Sequence, residues 1–314
     1  MDILAQYLRR LRHQRQALVQ QADIWLAKNL PLVHARAPAF ILLTRANKPI
    51  GTYLLLWPTL TALWLAARGW PDWHLIVIFA LGTWLMRSAG CCINDFADSA
   101  VDGSVKRTEG RAIVTGQVTR KEAISCFLVL CMLSATLLLF LNTFTMMMSL
   151  GAVALTAIYP FMKRYTHLPQ VVLGMAFSWG ILMAFTAQTG TLPAIAWVLY
   201  VANCLWTVAY DTQYAMVDRE DDLRIGVKST AILFGDADRV MIGMLQAMFI
   251  LALLLVGRSL GLSFWYYLGL LIACALLVYQ QWLIRERKPE ACFAAFLNNH
   301  WVGLAVFAGV VLSV

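Results

Sequence analysis

The chain has 314 residues, of which 61% are hydrophobic and only 13% are charged, whereas soluble domains carry about 25% charged residues. The mean hydropathy of +0.68 excludes an ordinary soluble globular protein and indicates a polytopic membrane protein. The net charge of +8 would suit a nucleic-acid partner, but the distribution of the charges along the chain argues against one.

The N-terminal segment, residues 1–40, is predicted to be a basic amphipathic helix that lies on the membrane surface. Apolar residues at helical spacing alternate there with arginines, namely Arg9, Arg10, Arg12 and Arg15. No apolar run follows these arginines closely enough for a signal peptide. A mitochondrial transit peptide is the alternative, although no processing site is recognisable. Residues 41–314 are predicted to form one membrane domain.

Nine apolar runs of membrane-spanning length follow this segment. About 20 residues are needed to cross the hydrocarbon core. Runs of that length cover residues 49–67, 74–93, 123–141, 144–162, 170–189, 193–212, 238–257, 264–284 and 292–312. The predicted fold class is therefore an all-α integral membrane protein.

The distribution of Lys and Arg predicts how the spans are oriented. If the N-terminus is cytoplasmic, 22 of the 25 basic residues lie in cytoplasmic segments. Only Arg68 and Arg258 lie in the segments outside, and Arg87 lies within a span. This bias follows the positive-inside rule. It predicts a cytoplasmic N-terminus and a C-terminus on the opposite side.

Three carboxylates follow the second span within nine residues, in the stretch from Asn94 to Asp102. Residues three or four apart share a helix face, so Asn94, Asp98 and Asp102 are expected to form one stripe, with Asp95 one turn before Asp98. A solvated acidic loop is the alternative interpretation. It is disfavoured because unpaired carboxylates that continue a membrane helix are costly.

A second acidic cluster follows the sixth span. Asp211, Asp218 and Asp222 are expected to form a similar helical stripe. The predicted topology puts both clusters on the cytoplasmic side. Hard oxygen ligands in this number suit Mg²⁺, which is usually completed by water and substrate phosphate oxygens. The two clusters are therefore predicted to face each other across a Mg²⁺-bound diphosphate.

Basic residues near these acids are candidate ligands for an anionic substrate. Arg87 precedes Asn94 by seven residues and faces the same way, so it is a candidate counter-ion, the alternative being a structural arginine paired to an aspartate or to backbone carbonyls. Arg45, at the mouth of the first span, is a weaker candidate for the same task. Lys163 ends the fourth span, where it would reach a diphosphate or anchor to lipid headgroups.

The two acidic clusters together resemble the paired signatures of the UbiA-type membrane prenyltransferases. The first signature is similar to the stretch from Asn94 to Asp102 with the basic loop that leads to Arg111. The second is similar to the stretch from Asp211 to Asp222. The two signatures together are specific, whereas either cluster alone is a weak indication. The resemblance covers about residue 40 to the C-terminus.

Within this family, the chain looks most like the enzymes that prenylate 4-hydroxybenzoate in ubiquinone biosynthesis. That similarity rests on the stretches Asn47-Lys-Pro-Ile-Gly-Thr, Leu56-Trp-Pro-Thr and Tyr159-Pro-Phe-Met-Lys-Arg-Tyr-Thr-His-Leu-Pro-Gln170. In one departure, Arg111 is followed by Ala112, where the family usually has proline. The change is expected to affect the stiffness of the loop rather than the chemistry.

The resemblance implies a role for each candidate site residue. The implied metal ligands are Asn94, Asp95, Asp98, Asp102, Asp211, Asp218 and Asp222. The carboxylates implied in catalysis are Asp95, Asp98, Asp211 and Asp218, with Asp211 the candidate to accept a proton or orient the phenol. The implied diphosphate ligands are Arg107, Arg111 and Lys163, and the implied ligands of the aromatic acid are Arg87, Asn94 and Arg45.

The resemblance further implies nine transmembrane helices around a central cavity in the inner membrane of a bacterium, with the active site at the cytoplasmic face. The implied reaction is Mg²⁺-dependent transfer of a polyprenyl group from polyprenyl diphosphate to the 3-position of 4-hydroxybenzoate. Naphthoate, homogentisate and haem are alternative acceptors, because they need the same diphosphate chemistry. An ion-coupled transporter is the non-enzyme alternative, but transporter sites usually lie near the bilayer midplane. Membrane lipid is an expected partner, nucleic acid is not, and the oligomeric state is left open.

Overall fold

A computed structural model describes residues 20–21, 27–29, 31–99, 102–104 and 107–314. Most of the predicted surface segment 1–40 lies outside the described residues. Regular secondary structure in the described part of the chain is entirely helical.

Twelve α-helices are named here in chain order. Their bounds are α1 Pro31–Thr44, α2 Ile50–Ala67, α3 Trp73–Asp98, α4 Arg120–Leu138, α5 Thr143–Ile158, α6 Pro169–Thr189, α7 Ala194–Ala215, α8 Arg219–Ile225, α9 Thr230–Phe234, α10 Asp238–Leu260, α11 Phe264–Leu283 and α12 Pro289–Val311. Short 3₁₀ helices cover Asp102–Ser104, Tyr159–Arg164, Gly235–Ala237 and Ile284–Glu286.

The prediction of nine spans is confirmed. Among the described residues, nine helical segments are long and apolar enough to cross a membrane. They are Ile50–Ala67, Trp73–Asp98, Arg120–Leu138, Thr143–Met162, Pro169–Thr189, Ala194–Ala215, Thr230–Leu260, Phe264–Glu286 and Pro289–Val311. The orientation of these spans stays a prediction.

Local sequence signals set the ends of several helices. The side chain of Thr119 accepts a hydrogen bond from the backbone N–H of Glu122, and the Glu122 side chain accepts one from the backbone of Thr119, which is a capping box at the start of α4. Asn142 caps α5 through the backbone N–H of Thr145, 2.9 Å away. Gly190 ends α6 in the left-handed conformation that glycine adopts at low cost.

The spans pack as a bundle around an interior cavity. Helix α2 packs against α6 and α12, α3 packs against α4, and α7 packs against both α6 and α10. Apolar side chains on the outward faces of the helices remain exposed, as expected for a surface covered by lipid. The outward apolar surface and the packed interior together identify a multi-pass membrane protein.

A chain of buried amides crosses the interior and fixes helix α7. Gln280 on α11 accepts hydrogen bonds from Gln213 on α7 at 3.1 Å and from Gln246 on α10 at 3.0 Å. Gln280 in turn donates to Asn298 at 3.0 Å, and Asn299 donates to Gln213 at 3.0 Å. Interhelical hydrogen bonds of this kind hold membrane helices in one rotational setting. The network therefore orients helix α7, which carries Asp211 of the second acidic cluster.

Helices α11 and α12 approach each other so closely that only glycine fits between them. A Cβ atom on Gly269 would lie 2.6 Å from the carbonyl oxygen of Ala305 and 3.0 Å from Cα of Gly309. We expect Gly269→Ala to destabilise the protein by about 1–3 kcal/mol because the backbones must move apart. Thermal unfolding in detergent micelles measures this change.

The matched control for this substitution is Gly243→Ala on α10. There an added Cβ would meet only the side chain of Gln281, at 3.6 Å. Alanine has the higher helix propensity by about 1 kcal/mol, so this variant should be as stable as the parent or more stable. Equal melting temperatures for the two variants would show that α11 and α12 separate at little cost.

Candidate functional site

Both acidic clusters line one cavity of about 650 Å³. The transmembrane helices α2 to α7 and α12 contribute to its wall, together with the loops that follow α3, α5 and α7. All seven predicted metal ligands line it, namely Asn94, Asp95, Asp98, Asp102, Asp211, Asp218 and Asp222. The prediction that the two clusters face a common space therefore agrees with the structure.

The first cluster is not the single helical stripe that its spacing predicted. Helix α3 ends at Asp98, and Asp102 begins a separate 3₁₀ turn. The loop folds back because the Thr108 hydroxyl donates to the carbonyl oxygen of Asp102 at 2.7 Å. Arg111 forms ion pairs with two of the acids, since its Nη1 lies 2.6 Å from Asp102 and 3.1 Å from Asp95. Helix periodicity thus places Asp95 near Asp98, whereas the ion pair with Arg111 holds Asp102 beside them.

Two further cations neutralise the buried end of α3. Asp95 and Asp98 are each only 2% exposed. Nη2 of Arg45 lies 2.6 Å from Asp95, and Nζ of Lys163 lies 2.6 Å from Oδ1 of Asp98. Oδ1 of Asp98 is buried, and the Lys163 ammonium is its charged partner. The buried carboxylates at this end of α3 are therefore held by cations.

The second cluster is also divided between elements, so the prediction of one stripe is wrong here as well. Helix α7 carries Asp211 and ends at Ala215, Asp218 occupies the N-cap position of α8, and Asp222 lies within α8. Burial raises the pKa of Asp222 to about 7, and the negative charge of Asp218 acts in the same direction. Glu220 and Asp221 lie on the same short helix.

Arg107 connects the two clusters. Its guanidinium binds Asp218 through Nε at 2.9 Å and through Nη2 at 2.5 Å. It also donates to the Tyr214 hydroxyl, and its central carbon lies 4.5 Å from the centre of the Tyr214 ring. A bidentate arginine of this kind is a strong ligand for a carboxylate or a phosphate. The basic loop of the first cluster thus reaches across the cavity to the second.

Arg87 differs from Arg45, Arg107 and Arg111, which also line the cavity, because no carboxylate of the described residues lies within ion-pair distance of it. It lies on α3 within a span and lines the cavity. Its Nη1 contacts the sulfur of Cys91, and its Nε is buried without an acceptor in the described part of the chain. The guanidinium packs where Gly51 of α2 leaves room for it. An arginine beside a cavity with no carboxylate at ion-pair distance is suited to bind an anionic ligand.

Aromatic residues of the site were not predicted from the sequence. Tyr210, Tyr214, Phe293 and Phe296 line the cavity beside Asp211. The hydroxyl of Tyr210 is buried and has no hydrogen bond of good geometry among the described residues. The spacing of the two tyrosines could have indicated them, because Tyr210 and Tyr214 are four residues apart and share the face of α7 next to Asp211.

Comparison with known proteins identifies the family. Residues 55–304 match the model of the UbiA prenyltransferase family. This chain belongs to the UbiA prenyltransferase family. It is 59% identical to a 4-hydroxybenzoate octaprenyltransferase of Pseudomonas syringae over 286 residues, which cover 91% of this chain and 97% of that protein. It is 57% identical to the protein of the same name from Pseudomonas aeruginosa over 288 residues, which cover 92% and 97%.

Solved structures show the UbiA fold. A UbiA homologue from Aeropyrum pernix has a TM-score of 0.74 and 20% sequence identity, and the alignment covers 83% of this chain and 97% of that one. A UbiA homologue from Archaeoglobus fulgidus, solved with GPP and Mg²⁺, has a TM-score of 0.66 and 17% identity, with 86% and 99% covered. The same homologue has also been solved with Cd²⁺.

The residues of this UbiA-family site fit a hard divalent cation. Within the described ranges, no three carboxylate, His or Cys side chains already surround one point as metal ligands would, because arginine and lysine lie between the acids. The available donors are carboxylate and amide oxygens that line one cavity. Oxygen donors with several negative charges favour Mg²⁺ over softer metals.

Proposed function

We propose that this UbiA-family enzyme transfers a polyprenyl group from polyprenyl diphosphate to the 3-position of 4-hydroxybenzoate, as a step of ubiquinone biosynthesis. The observation that carries the proposal is one cavity lined by two acidic clusters, in which Arg107 from the loop after the first cluster binds Asp218 of the second and Arg87 has a buried Nε without an acceptor among the described residues. The identity of 57–59% to 4-hydroxybenzoate octaprenyltransferases supports the choice of acceptor.

The acidic clusters would hold Mg²⁺ against the diphosphate. The proposed ligands are Asn94, Asp95, Asp98 and Asp102 on one side and Asp211, Asp218 and Asp222 on the other. When bound, Mg²⁺ supplies positive charge that stabilises the departing diphosphate. Arg107, Arg111 and Lys163 would exchange their present carboxylate partners for phosphate oxygens, which are equally good partners for charge-assisted hydrogen bonds.

Arg87 would bind the carboxylate of 4-hydroxybenzoate. Its buried Nε has no acceptor among the described residues, so a benzoate oxygen would satisfy it. Asn94 lines the cavity about two helical turns further along α3 and would help to bind this carboxylate. Arg45 also lines the cavity, but it binds Asp95 at 2.6 Å. To bind the aromatic acid, Arg45 would therefore have to contact Asp95 and the acid at the same time, or to release Asp95.

The reaction follows from this placement. The allylic C–O bond breaks and its electron pair leaves with the diphosphate. The ring carbon ortho to the phenol oxygen then forms the new C–C bond, and the ring proton passes to a carboxylate, for which Asp211 is the proposed acceptor. The spans keep water away from the cation, which water would convert to an alcohol. Asp95, Asp98 and Asp218 complete the proposed catalytic set.

The polyprenyl tail would extend from the cavity into lipid. A cavity of about 650 Å³ has the size that usually holds a drug-sized ligand. It must already hold the diphosphate, the benzoate and the first prenyl units, so a chain of roughly 40 carbons exceeds its capacity. An enzyme embedded in the bilayer solves this because the surrounding lipid is itself a solvent for the tail.

The proposed location is the bacterial inner membrane, with the site at the cytoplasmic face. The support is the concentration of Lys and Arg on the side of the bundle where both acidic clusters lie. The proposed division is a surface helix over residues 1–40 and a membrane prenyltransferase domain over residues 41–314.

Product formation in membranes that contain the expressed protein tests the proposal. We expect 3-polyprenyl-4-hydroxybenzoate to form from 4-hydroxybenzoate and a long polyprenyl diphosphate when Mg²⁺ is present. Chelation with EDTA should abolish the reaction, and added Mg²⁺ should restore it, because the diphosphate leaves poorly without a counter-charge. Release of diphosphate without that product would indicate another acceptor. No release of diphosphate from folded protein would contradict the proposal.

A further inference from the structure

The buried carboxylate of Asp238 lies outside the cavity and binds two arginines. Asp238 is the first residue of α10, and it is 0% exposed. Nε of Arg287 lies 3.0 Å from each of its two oxygens, and Nη1 of Arg219 lies 3.2 Å from Oδ2. None of these three residues lines the cavity. Because a buried carboxylate needs such partners, the ion pairs join α8, α10 and the turn before α12.

The two arginines connect Asp238 to different parts of the molecule. Arg287 lies in the turn between α11 and α12, so it fixes that turn against the start of α10. Arg219 is the first residue of α8. It directly follows Asp218 and precedes Asp222 by three residues, which is about one helical turn. Arg219 therefore connects Asp238 to the element that carries two carboxylates of the second acidic cluster.

Helix α8 depends on polar contacts for its position. It has seven residues, and none of them is buried. Isolated helices of this length are unstable in water, and apolar burial usually supplies the missing stability. Asp218, which precedes the helix, binds Arg107, but under the proposed function Arg107 exchanges that carboxylate for a phosphate oxygen. The ion pair of Arg219 with Asp238 involves no residue that lines the cavity, so the substrate does not compete for it.

We propose that Asp238 is a positioning residue of the active site, an inference that rests on the proposed function. Through Arg219, it holds α8 against the start of α10. It thereby keeps Asp218 and Asp222 at the wall of the cavity, where they serve the Mg²⁺-bound diphosphate. Asp238 acts through Arg219 and touches neither the metal nor the substrate.

Tryptic cleavage of the full-length protein in detergent micelles reports the position of α8 independently of activity. The cleavage site is Arg224 in α8, whose side chain is 71% exposed. A protease cuts a helix when the helix opens locally, so a helix released from its anchor is cut faster. We expect Arg219→Gln and Asp238→Asn to speed cleavage after Arg224 about tenfold, the effect of losing one charge-assisted hydrogen bond. Mass spectrometry of the fragments over time measures the rate.

The matched control is Arg287→Gln, because Arg287 binds the same carboxylate but does not connect it to α8. This variant should melt at a lower temperature, since Asp238 loses the partner that contacts both of its oxygens. Its cleavage after Arg224 should nevertheless match that of the parent. Arg219→Lys keeps the positive charge and should restore most of the protection. The double variant Arg219→Gln/Asp238→Asn should be cut no faster than Asp238→Asn, as expected when two residues act through one contact.

A second measurement tests whether the position of α8 matters for the metal site. Mg²⁺ with inorganic diphosphate should raise the melting temperature of the parent. The Mg²⁺ concentration that gives half of this increase should rise about tenfold in Arg219→Gln and Asp238→Asn, and change less than about twofold in Arg287→Gln. In turnover, KM for a polyprenyl diphosphate should rise in the first two variants. KM for 4-hydroxybenzoate should stay the same, because Arg87 lies on α3.

Three outcomes would overturn the inference. Unchanged cleavage after Arg224 in Arg219→Gln and Asp238→Asn would show that the ion pair does not hold α8. Faster cleavage with an unchanged Mg²⁺ requirement would show that the position of α8 does not matter for the site. Equal effects of Arg219→Gln and Arg287→Gln would assign Asp238 to general stability. If Asp238→Asn does not fold, Arg219→Gln decides the question, because Asp238 then keeps Arg287.

The same measurements separate this inference from the proposed function. A parent protein whose melting temperature does not respond to Mg²⁺ and diphosphate would remove both. A response to Mg²⁺ and diphosphate without any prenylated product would count against the proposed function alone, since the anchoring of the acidic cluster is read from cleavage and melting.

Discussion

Replacing Asp98 with asparagine is expected to lower Mg²⁺-dependent turnover by at least about 10²-fold while the protein stays folded. Asparagine has the same shape, so packing at the end of α3 is kept. The substitution removes the negative charge of a carboxylate that is 2% exposed and lies 2.6 Å from the Lys163 ammonium. A neutral amide oxygen is a weaker ligand for Mg²⁺. Turnover at saturating substrates and a Mg²⁺ titration measure the effect.

The control for this substitution is Asp236→Asn. Asp236 lies in the 3₁₀ helix before α10 and does not line the cavity. Its replacement should leave turnover and the Mg²⁺ dependence unchanged. A melting transition like that of the parent would show that Asp98→Asn is folded. Full Mg²⁺-dependent activity in Asp98→Asn would remove this residue from the metal site.

Replacing Arg87 with alanine is expected to raise KM for 4-hydroxybenzoate about 10–100-fold. The range corresponds to the loss of one charge-assisted hydrogen bond, about 1.5–3 kcal/mol. The KM for polyprenyl diphosphate should change less than about threefold, because Arg107, Arg111 and Lys163 remain next to the acidic clusters. Steady-state kinetics with each substrate varied in turn separate the two effects.

A second variant tests the same position without removing the arginine. A Cβ atom on Gly51 would overlap the Arg87 guanidinium. Because the end of a flexible side chain yields easily, Gly51→Ala should fold normally and still raise KM for the acceptor. Gly243→Ala, which lies outside the cavity, is the matched control. Equal increases in both KM values for Arg87→Ala would instead assign Arg87 to the diphosphate or to the fold.

Properties that depend on short stretches of sequence were predictable. A membrane span needs about 20 apolar residues in a row, so the apolar runs in the sequence were enough to locate all nine spans. The positions of the acidic clusters at helix ends were equally local, and the structure places both clusters on one cavity. The paired signatures also indicated the UbiA family, which the family comparison confirmed.

Helix periodicity failed where the helices end. Spacing predicted that Asp102 continues the stripe of α3 and that Asp218 continues that of α7, but α3 ends at Asp98 and α7 at Ala215. Helix ends are set by capping groups and turns, which periodicity does not contain. Asp95 and Asp102 of the first cluster nevertheless lie close together, because both form ion pairs with Arg111.

Sequence by itself thus determined the fold class and the number of spans, and it singled out acids and bases that line one cavity. Only the tertiary structure decided their partners, because contacts such as Arg107 with Asp218 join residues 111 positions apart. It also decided that Arg87 has no carboxylate partner among the described residues, and it brought Phe296 from α12 to Tyr214 on α7. Local patterns fix which face a residue occupies, whereas the packing of whole helices fixes what that face meets.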